Sequence, residues 1–279
     1  MSTPPIRVFY HANCTDGFAA AFSAWFKFKD DATYHAINYG QAMPAIADGE
    51  RVYFLDICPP RAALEALAAR CEVVVLDHHV TSEQDMAGLS YAYFDSKRSG
   101  AMLAWRFFHP QTPAPSVIDY VQDRDLWRWA LPHSREVSAA IRTHPKDFEV
   151  WLALTGPGVI GDLVTQGSAV LAAQAIEVGI LVAHARLGTV AGHQVPVVNT
   201  AIHISETGEA LCAAYPDAPF AATFYVGADG RERWSLRAHN GFDVSVVARL
   251  LGGGGHRAAA GFNREAAPAV VMTPEVTPC

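Results

Sequence analysis

Asp77, His78 and His79 follow directly on the aliphatic run Val73 to Leu76, so an acid and two imidazoles arrive together where a hydrophobic stretch stops. Four such residues read as a buried strand. In an open α/β sheet ligands bind at the carboxyl ends of the strands, so this trio points to metal or phosphate chemistry. A lone Asp-His pair would read as a capped strand end; repetition of the pattern changes that. Ile6 to Tyr10 is a second β-rich run, followed by a turn with His11, Cys14 and Asp16, all metal-ligand types. The competing reading of Asp16 is a helix cap, which would not require His11 or Cys14. Arg51 to Leu55 is a third run, and it too ends in an acid, Asp56, ahead of Pro59 and Pro60.

The elements that must position these residues alternate. Gly17 lets the backbone approach closely and opens a small-residue helix. A helix from Pro60 to about Arg70 separates the Asp56 strand from the Asp77 strand. This alternation predicts right-handed crossovers and a mostly parallel sheet flanked by helices, with His11, Asp16, Asp56, Asp77, His78 and His79 on one edge. Asp95 to Gly100 is a polar turn before a helix at Ala101 to Phe108, where Lys97, Arg98 and Ser99 either meet an anion at the helix N-terminus or form a solvated loop. A further helix in Pro115 to Trp129 ends in acids and aromatics. Asp123 and Asp125 lie two apart and do not share a helical face, so only one of them is expected in a site. Trp127 and Trp129 read as packing residues, with base stacking as the alternative.

His133 to Thr155 reads as two short helices, and Gly156, Pro157 and Gly158 punctuate the chain before a long helix at about Gly161 to Arg186. That helix is expected to connect a first domain, 1–187, to a second, 188–279. The second shows shorter strands at Val195 to Val198, Phe220 to Val226 and Trp234 to Ala238, a helix at about Glu206 to Tyr215, and a hairpin turn at 228–230. It reads as a small α+β domain. Its distinctive feature is Gly252 to Gly255 followed by His256, for which a loop whose amides touch a ligand is preferred over a merely flexible one.

The 279 residues carry 21 Lys and Arg against 28 Asp and Glu, a net charge of -7, which disfavours a broad basic face for long nucleic acid. A short anionic substrate held by a few cations remains compatible. The 5 cysteines are scattered without paired spacing, so neither a disulfide framework nor a zinc ribbon is indicated and a reducing cytoplasm is expected. No secretory signal is visible in the first residues. The longest apolar stretch, Ala169 to Ala185, is interrupted by Gln174, Glu177 and His184, and is read as a helix outside any membrane.

HANCTDG, FLDICPP, LDHH and DRDLW, in that order, resemble the motifs of the DHH phosphoesterase superfamily, most closely its small two-domain members such as nanoRNase type B and related short-oligonucleotide phosphodiesterases. LLGGGGHRAAAGF resembles the glycine-rich motif of the accompanying DHHA1 domain. The resemblance implies an α/β metal-binding domain joined by a long helix to a smaller α+β domain. It implies metal ligation by His11, Asp16, Asp56, His78 and Asp125, with Asp123 as the fallback for Asp125 and Asp56 bridging two ions. Asp56, Asp77, His78 and His79 form the implied catalytic set. Arg237, Gly253, Gly254, Gly255 and His256 would grip substrate, with Arg98 added from the polar turn. Cys14 departs from the family, which commonly has an aspartate there; it is either a thiolate ligand or a reason for weaker hold on the first metal.

Mn2+ is the expected ion, with Mg2+ or Co2+ as substitutes. The implied reaction is hydrolysis of short oligoribonucleotides or linear dinucleotides such as pGpG to mononucleotides by metal-activated water. Alternatives are a nucleotide 3'-phosphatase, a cyclic-dinucleotide phosphodiesterase, a pyrophosphate or polyphosphate hydrolase, and a non-catalytic nucleotide-binding regulator. The expected partner is the short nucleotide substrate, without long nucleic acid or membrane, and the resemblance permits a homodimer.

Overall fold

The computed structural model describes residues 4–12, 14–239 and 241–265; the Pro- and Val-rich tail at 266–279, whose role is unreadable in the sequence, lies outside the described residues. The chain forms two compact units, Met1–Gln174 and Ala175–Cys279.

In the first unit, β1 (Ile6–His11), α1 (Thr15–Phe28), β2 (Ala32–Ile37), β3 (Arg51–Leu55), α2 (Arg61–Ala68), β4 (Glu72–Asp77), α3 (Val80–Asp85) and β5 (Ala92–Phe94) follow in order. The five strands form one sheet in the order β2-β1-β3-β4-β5, with every pairing parallel. Alternation along the central strands explains its two covered faces. Val8, Tyr53, Leu55 and Leu76 pack with Ala20 and Ala24 of α1, while Phe9, Val52, Phe54 and Val75 pack with Leu64 and Leu67 of α2. Then come α4 (Gly100–Phe108), α5 (Ser116–Asp125), α6 (Ser134–Ile141) and α7 (Phe148–Ala153). Met102 and Trp105 of α4 join Phe18, Phe22, Val121, Ile141 and Trp151 in a helical core.

The strand order reverses between β1 and β3, which leaves a crevice at their carboxyl ends. His11 is the last residue of β1, and Asp56 directly follows β3. The parallel sheet and the shared edge are as the sequence reading expects. Strands β2 and β5 and helix α3 were not anticipated: β2 is an edge strand whose ATYHAI has little hydrophobic alternation, and β5 spans only 3 residues.

Helix α8 (Val159–Ala183) serves both units. Leu163 packs in the helical core of the first, and Leu181 and Val182 pack against Val198 and Leu211 of the second. The contacts therefore divide the chain inside the helix, after Gln174, whereas the sequence reading places the boundary behind it at 187. Taken whole, the 25 residues of α8 are long and apolar enough, by length and composition alone, to cross a membrane. The shorter stretch judged too interrupted from sequence left out the apolar residues Val159, Ile160, Leu163 and Val164.

The second unit comprises β6 (Arg186–Val190), β7 (His193–Asn199), α9 (Ile204–Ala214), β8 (Ala221–Val226), β9 (Arg231–Arg237), α10 (Val244–Leu250), β10 (Gly254–His256) and β11 (Ala259–Glu265). Its sheet runs β10-β11-β9-β8-β7-β6, antiparallel except for β7 with β8. The glycine run, read from sequence as a loop, is partly strand, since β10 begins at Gly254. The Gly253 amide donates to the Ala248 carbonyl at 2.8 Å and so closes α10. A Cβ on Gly253 would lie 2.0 Å from the Gly261 carbonyl oxygen, and Gly255, at φ +137°, would place one 2.7 Å from that of Ala259. Close approach of the 253–255 segment to β11 therefore accounts for glycine at 253 and 255.

Arg7 of β1 ties the sheet to the segment entering β3: its Nε donates to Glu50 Oε2 at 2.8 Å, while the Ala47 amide donates to Glu50 Oε1 at 2.7 Å. Burial pushes the Glu50 carboxyl up, but the Ala47 amide and Arg7 outweigh it and hold the group below its ordinary 4.5. A depressed carboxyl stabilises the fold above its unfolded pKa and loses that contribution as pH falls through the folded value. Glu50→Gln is expected to cost about 2 kcal/mol at neutral pH. Urea melts at pH 7 and pH 3 should show this difference from wild type shrinking in acid.

Candidate metal centre

Four chain segments meet at the carboxyl edge of the parallel sheet. The first enters at the end of β1, where His11 is followed by the tight turn into α1. Gly17 makes that turn feasible, since a Cβ there would sit 2.3 Å from the His11 carbonyl oxygen. Asp16, in the first turn of α1, is fully buried and reaches across to α4, accepting from the Gly100 amide at 2.6 Å and the Ala101 amide at 3.0 Å. The helix cap weighed for Asp16 thus exists, on a different helix from its own. This carboxylate occupies the α4 N-terminus, where the sequence reading left Lys97, Arg98 and Ser99 either to meet an anion or to form a solvated loop. Ser99 caps α4 through Met102, and Arg98 is ion-paired with Asp95.

Asp56 follows β3 with φ 57°, in the left-handed region that costs a non-glycine residue about 1–2 kcal/mol. Its side chain fits because residue 100 is glycine: a Cβ there would lie 2.5 Å from the Asp56 Cβ. The third segment is the turn after β4. Asp77 Oδ1 accepts from the His78 amide at 2.7 Å, the His79 amide at 3.3 Å and His79 Nδ1 at 2.7 Å. Asp77 therefore organises the turn and fixes the orientation of the His79 ring.

Asp125, the last residue of α5, completes the set. His78 Nε2 lies 3.1 Å from Asp56 Oδ1, 3.5 Å from Asp125 Oδ2 and 3.7 Å from Asp16 Oδ2. On the other side of Asp56, His11 Nδ1 is 3.6 Å from Oδ2. Asp16 with His78 and Asp125 form one donor group, His11 with Cys14 and Asp56 another, and Asp56, Asp77, His78 and His79 an overlapping third; within each the ligand atoms lie within 4.8 Å of one another. Asp56 turns one oxygen towards His11 and the other towards His78. Asp123 is placed otherwise, with its carboxylate accepting from the Ala130 amide at 3.0 Å and the Leu131 amide at 3.2 Å, where it shapes the turn after α5.

The electrostatics call for a cation. Burial and the neighbouring carboxylates of Asp125 and Asp56 push Asp16 well up, and burial also raises Asp125. Burial opposes charge on Asp56 too, yet its contacts with His11 and His78 hold it far down. His78 is disfavoured as a cation by burial, but Asp125, Asp56 and Asp16 together raise it well above the ordinary imidazole value. Asp125 Oδ2 is buried and receives no hydrogen bond among the described residues. Buried carboxylates around imidazole nitrogens, one with an oxygen lacking a donor, fit a divalent ion that takes oxygen and nitrogen ligands. Burial, with Asp56, Asp125 and Asp16, pushes the Cys14 thiol well up, so it is protonated unless a cation displaces the proton.

Tyr39 escaped the sequence reading. Its ring lies 5.6 Å from that of His11 and 6.3 Å from that of His79, both edge-on, with 48% of the residue exposed. It stands two residues beyond β2, so assigning that strand would have put Tyr39 on the same edge. Gly100 was missed as well; its role depends on contact with Asp56, 44 positions away, and leaves no local signal. Of the substrate-binding residues expected in the second unit, Arg237 donates to the Ser205 hydroxyl at 2.7 Å, and His256 ends β10.

Asp125→Asn and Gly100→Ala are both expected to weaken Mn2+ binding, the latter by about 10–100-fold although residue 100 is no ligand. Asp123→Asn should instead cost about 1–3 kcal/mol of stability with Mn2+ affinity retained. Manganese titrations followed by electron paramagnetic resonance, beside urea melts, separate these outcomes.

No family model matches the sequence. Over 285 aligned positions the chain is 26% identical to an uncharacterised protein, R106, of Acanthamoeba polyphaga mimivirus, covering 91% of this chain and 66% of the relative. The chain thus spans slightly less than two thirds of that relative's length. Among solved structures it is similar to RecJ from Thermus thermophilus, crystallised in complex with Mn2+, with a TM-score of 0.51 and 14% identity over 93% of this chain and 49% of RecJ. A pGpG-specific phosphodiesterase, PggH, from Vibrio aligns over 93% of both chains with 12% identity and a TM-score of 0.46. The architecture, a parallel five-stranded sheet flanked by helices with a second mixed sheet, is an α/β fold of the kind seen in RecJ.

Proposed function

We propose that this protein is a metal-dependent phosphodiesterase that hydrolyses short oligoribonucleotides or linear dinucleotides such as pGpG to mononucleotides. The observation that carries this reading is that Asp56 links two donor groups, with one carboxylate oxygen 3.6 Å from His11 and the other 3.1 Å from His78. Two adjacent sites joined by one carboxylate suit a pair of divalent ions acting on one phosphoryl group. Oxygen and imidazole donors favour Mn2+, with Mg2+ or Co2+ as substitutes. The fold-level likeness to RecJ, whose crystal contains Mn2+, supports that choice.

His11, Asp56 and Cys14 would hold one ion, and Asp16, His78, Asp125 and Asp56 the other. When bound, the ions lower the pKa of water and neutralise charge on phosphoryl oxygens. The chain's own contribution is to keep the site desolvated and the ligands oriented. Asp56 cannot relax without losing its contacts to both histidines, and Asp16 is anchored on α4. Burial lowers the His79 imidazole, but Asp77 more than offsets it and raises the group, so His79 carries a proton at Nε2 as well as at Nδ1 over a wider pH range. That Nε2 proton suits a phosphoryl or leaving-group oxygen. Arg98, Arg237, Gly253, Gly254, Gly255 and His256 stay as proposed substrate contacts. The net charge of -7 favours short substrates over long strands. Activity in the cytoplasm, and as a homodimer, belongs to the same proposal.

The Cys14 thiol supports a second reading, a nucleotide-binding regulator, because a neutral thiol is a poorer ligand than the aspartate expected there. Turnover of 5'-labelled pGpG and longer oligomers, in Mn2+ and in chelator, separates the two. Mononucleotide should appear only with metal and fastest from the shortest substrates, and Asp56→Ala should lower kcat on the order of 10³-fold while the protein stays folded. A folded, fully active Asp56→Ala protein would sink the two-ion mechanism; tight binding without turnover would favour the regulator.

A further inference from the structure

Beside the metal centre lies a cavity of about 230 Å³ between the start of α1 and the α6–α7 connection, lined by Thr15, Ile141, Arg142, His144, Lys146 and Trp151. Apart from Ile141, every lining residue carries a hydrogen-bond donor, and none is a carboxylate. His144 Nε2 and Trp151 Nε1 are both buried without a hydrogen-bond partner among the described residues. Trp151 is 1% exposed and fixed by edge-on contact with Phe18, so its indole cannot turn towards water. An indole N–H can only donate, and leaving it unmet in the interior costs about 1–3 kcal/mol, so the missing component is an acceptor. Lys146 adds an ammonium to the same lining. The carboxylate next to it in sequence is engaged: Asp147 accepts from the Glu149 and Val150 amides, both at 3.0 Å, and caps α7.

The position narrows the ligand further. Thr15 stands between Cys14 and Asp16, so the donor-lined cavity adjoins two groups of the centre through one residue. Side by side, the chain holds a set of carboxylates suited to cations and a set of donors suited to an anion.

We propose that this cavity is a phosphate-monoester pocket, which receives the terminal phosphate of a nucleotide substrate whose phosphodiester lies at the metal centre. The inference rests on the phosphodiesterase reading for the substrate's identity. A phosphate dianion supplies several acceptor oxygens, matching the threonine hydroxyl, the imidazole, the indole and the Lys146 ammonium. The pocket thereby selects short substrates that begin with a phosphate over those that begin with a hydroxyl.

The test measures binding rather than turnover. Calorimetry in chelator compares pGpG with GpG, which lacks the terminal phosphate, on wild type, Lys146→Gln and the His144→Gln/Lys146→Gln double variant. Wild type should prefer pGpG by about tenfold or more. The preference should fall in Lys146→Gln and vanish in the double variant, with GpG affinity and thermal unfolding unchanged. Equal affinities in wild type, or a preference that survives both substitutions, overturn the proposal. Inorganic phosphate supplies the other arm: competition with pGpG but not with GpG supports the pocket, whereas phosphate binding without any pGpG preference assigns the cavity to free phosphate and overturns the substrate role. If the preference appears but Mn2+ yields no hydrolysis of either compound, the hydrolase reading fails and the pocket stands.

Discussion

Mutual repulsion among desolvated carboxylates is the constraint on which the first unit is built. Asp16, Asp56 and Asp125 converge on one imidazole nitrogen, 3.1 to 3.7 Å away. Placing several anions in a low-dielectric interior is unfavourable unless cations or directed donors meet them. The chain supplies part of that compensation: two histidines for Asp56, the amide end of α4 for Asp16, and backbone and ring donors of the DHH turn for Asp77. What the described residues leave unmet, Asp125 Oδ2 above all, is what an ion would satisfy.

That arrangement also explains why backbone strain and missing side chains gather at the same edge. Asp56 adopts a left-handed conformation to present both carboxylate oxygens, and Gly100 gives it room. The same Gly100 donates its amide to Asp16, so a single position links two acids through two different physical effects, the absence of a Cβ and the presence of an N–H. Gly17 plays the steric part at the β1–α1 turn. The aliphatic strands beneath make these local costs sustainable, since their two packed faces fix where each carboxyl end emerges.

The neighbouring donor-lined cavity shows the opposite polarity. Its donors come from the start of α1, the α6–α7 connection and α7 itself, and the acid in that connection, Asp147, is already used to cap α7. Carboxylates and donors thus stand on either side of one turn, at Cys14 to Asp16.

The strands β1, β3 and β4, the order of the acidic motifs and the turn residues were legible in the sequence because each rests on a contiguous pattern: an aliphatic run, then a ligand-type side chain. Edge strand β2 was not, since its burial is one-sided and broken, and Tyr39 beyond it was lost with it. The glycine run of the second unit was visible but its reason was not, because the carbonyls that forbid a Cβ at 253 and 255 belong to β11. Between Asp123 and Asp125 the resemblance preferred Asp125, while helical spacing says only that the two diverge. In the structure the Ala130 and Leu131 amides engage Asp123, and Asp125 lies beside His78. By itself the sequence determined which chemistry was available and on which sheet edge, because side-chain type and hydrophobic period are local properties. The tertiary structure alone decided which oxygens face which nitrogens and which donors lack partners, because those depend on contacts between segments far apart in the chain.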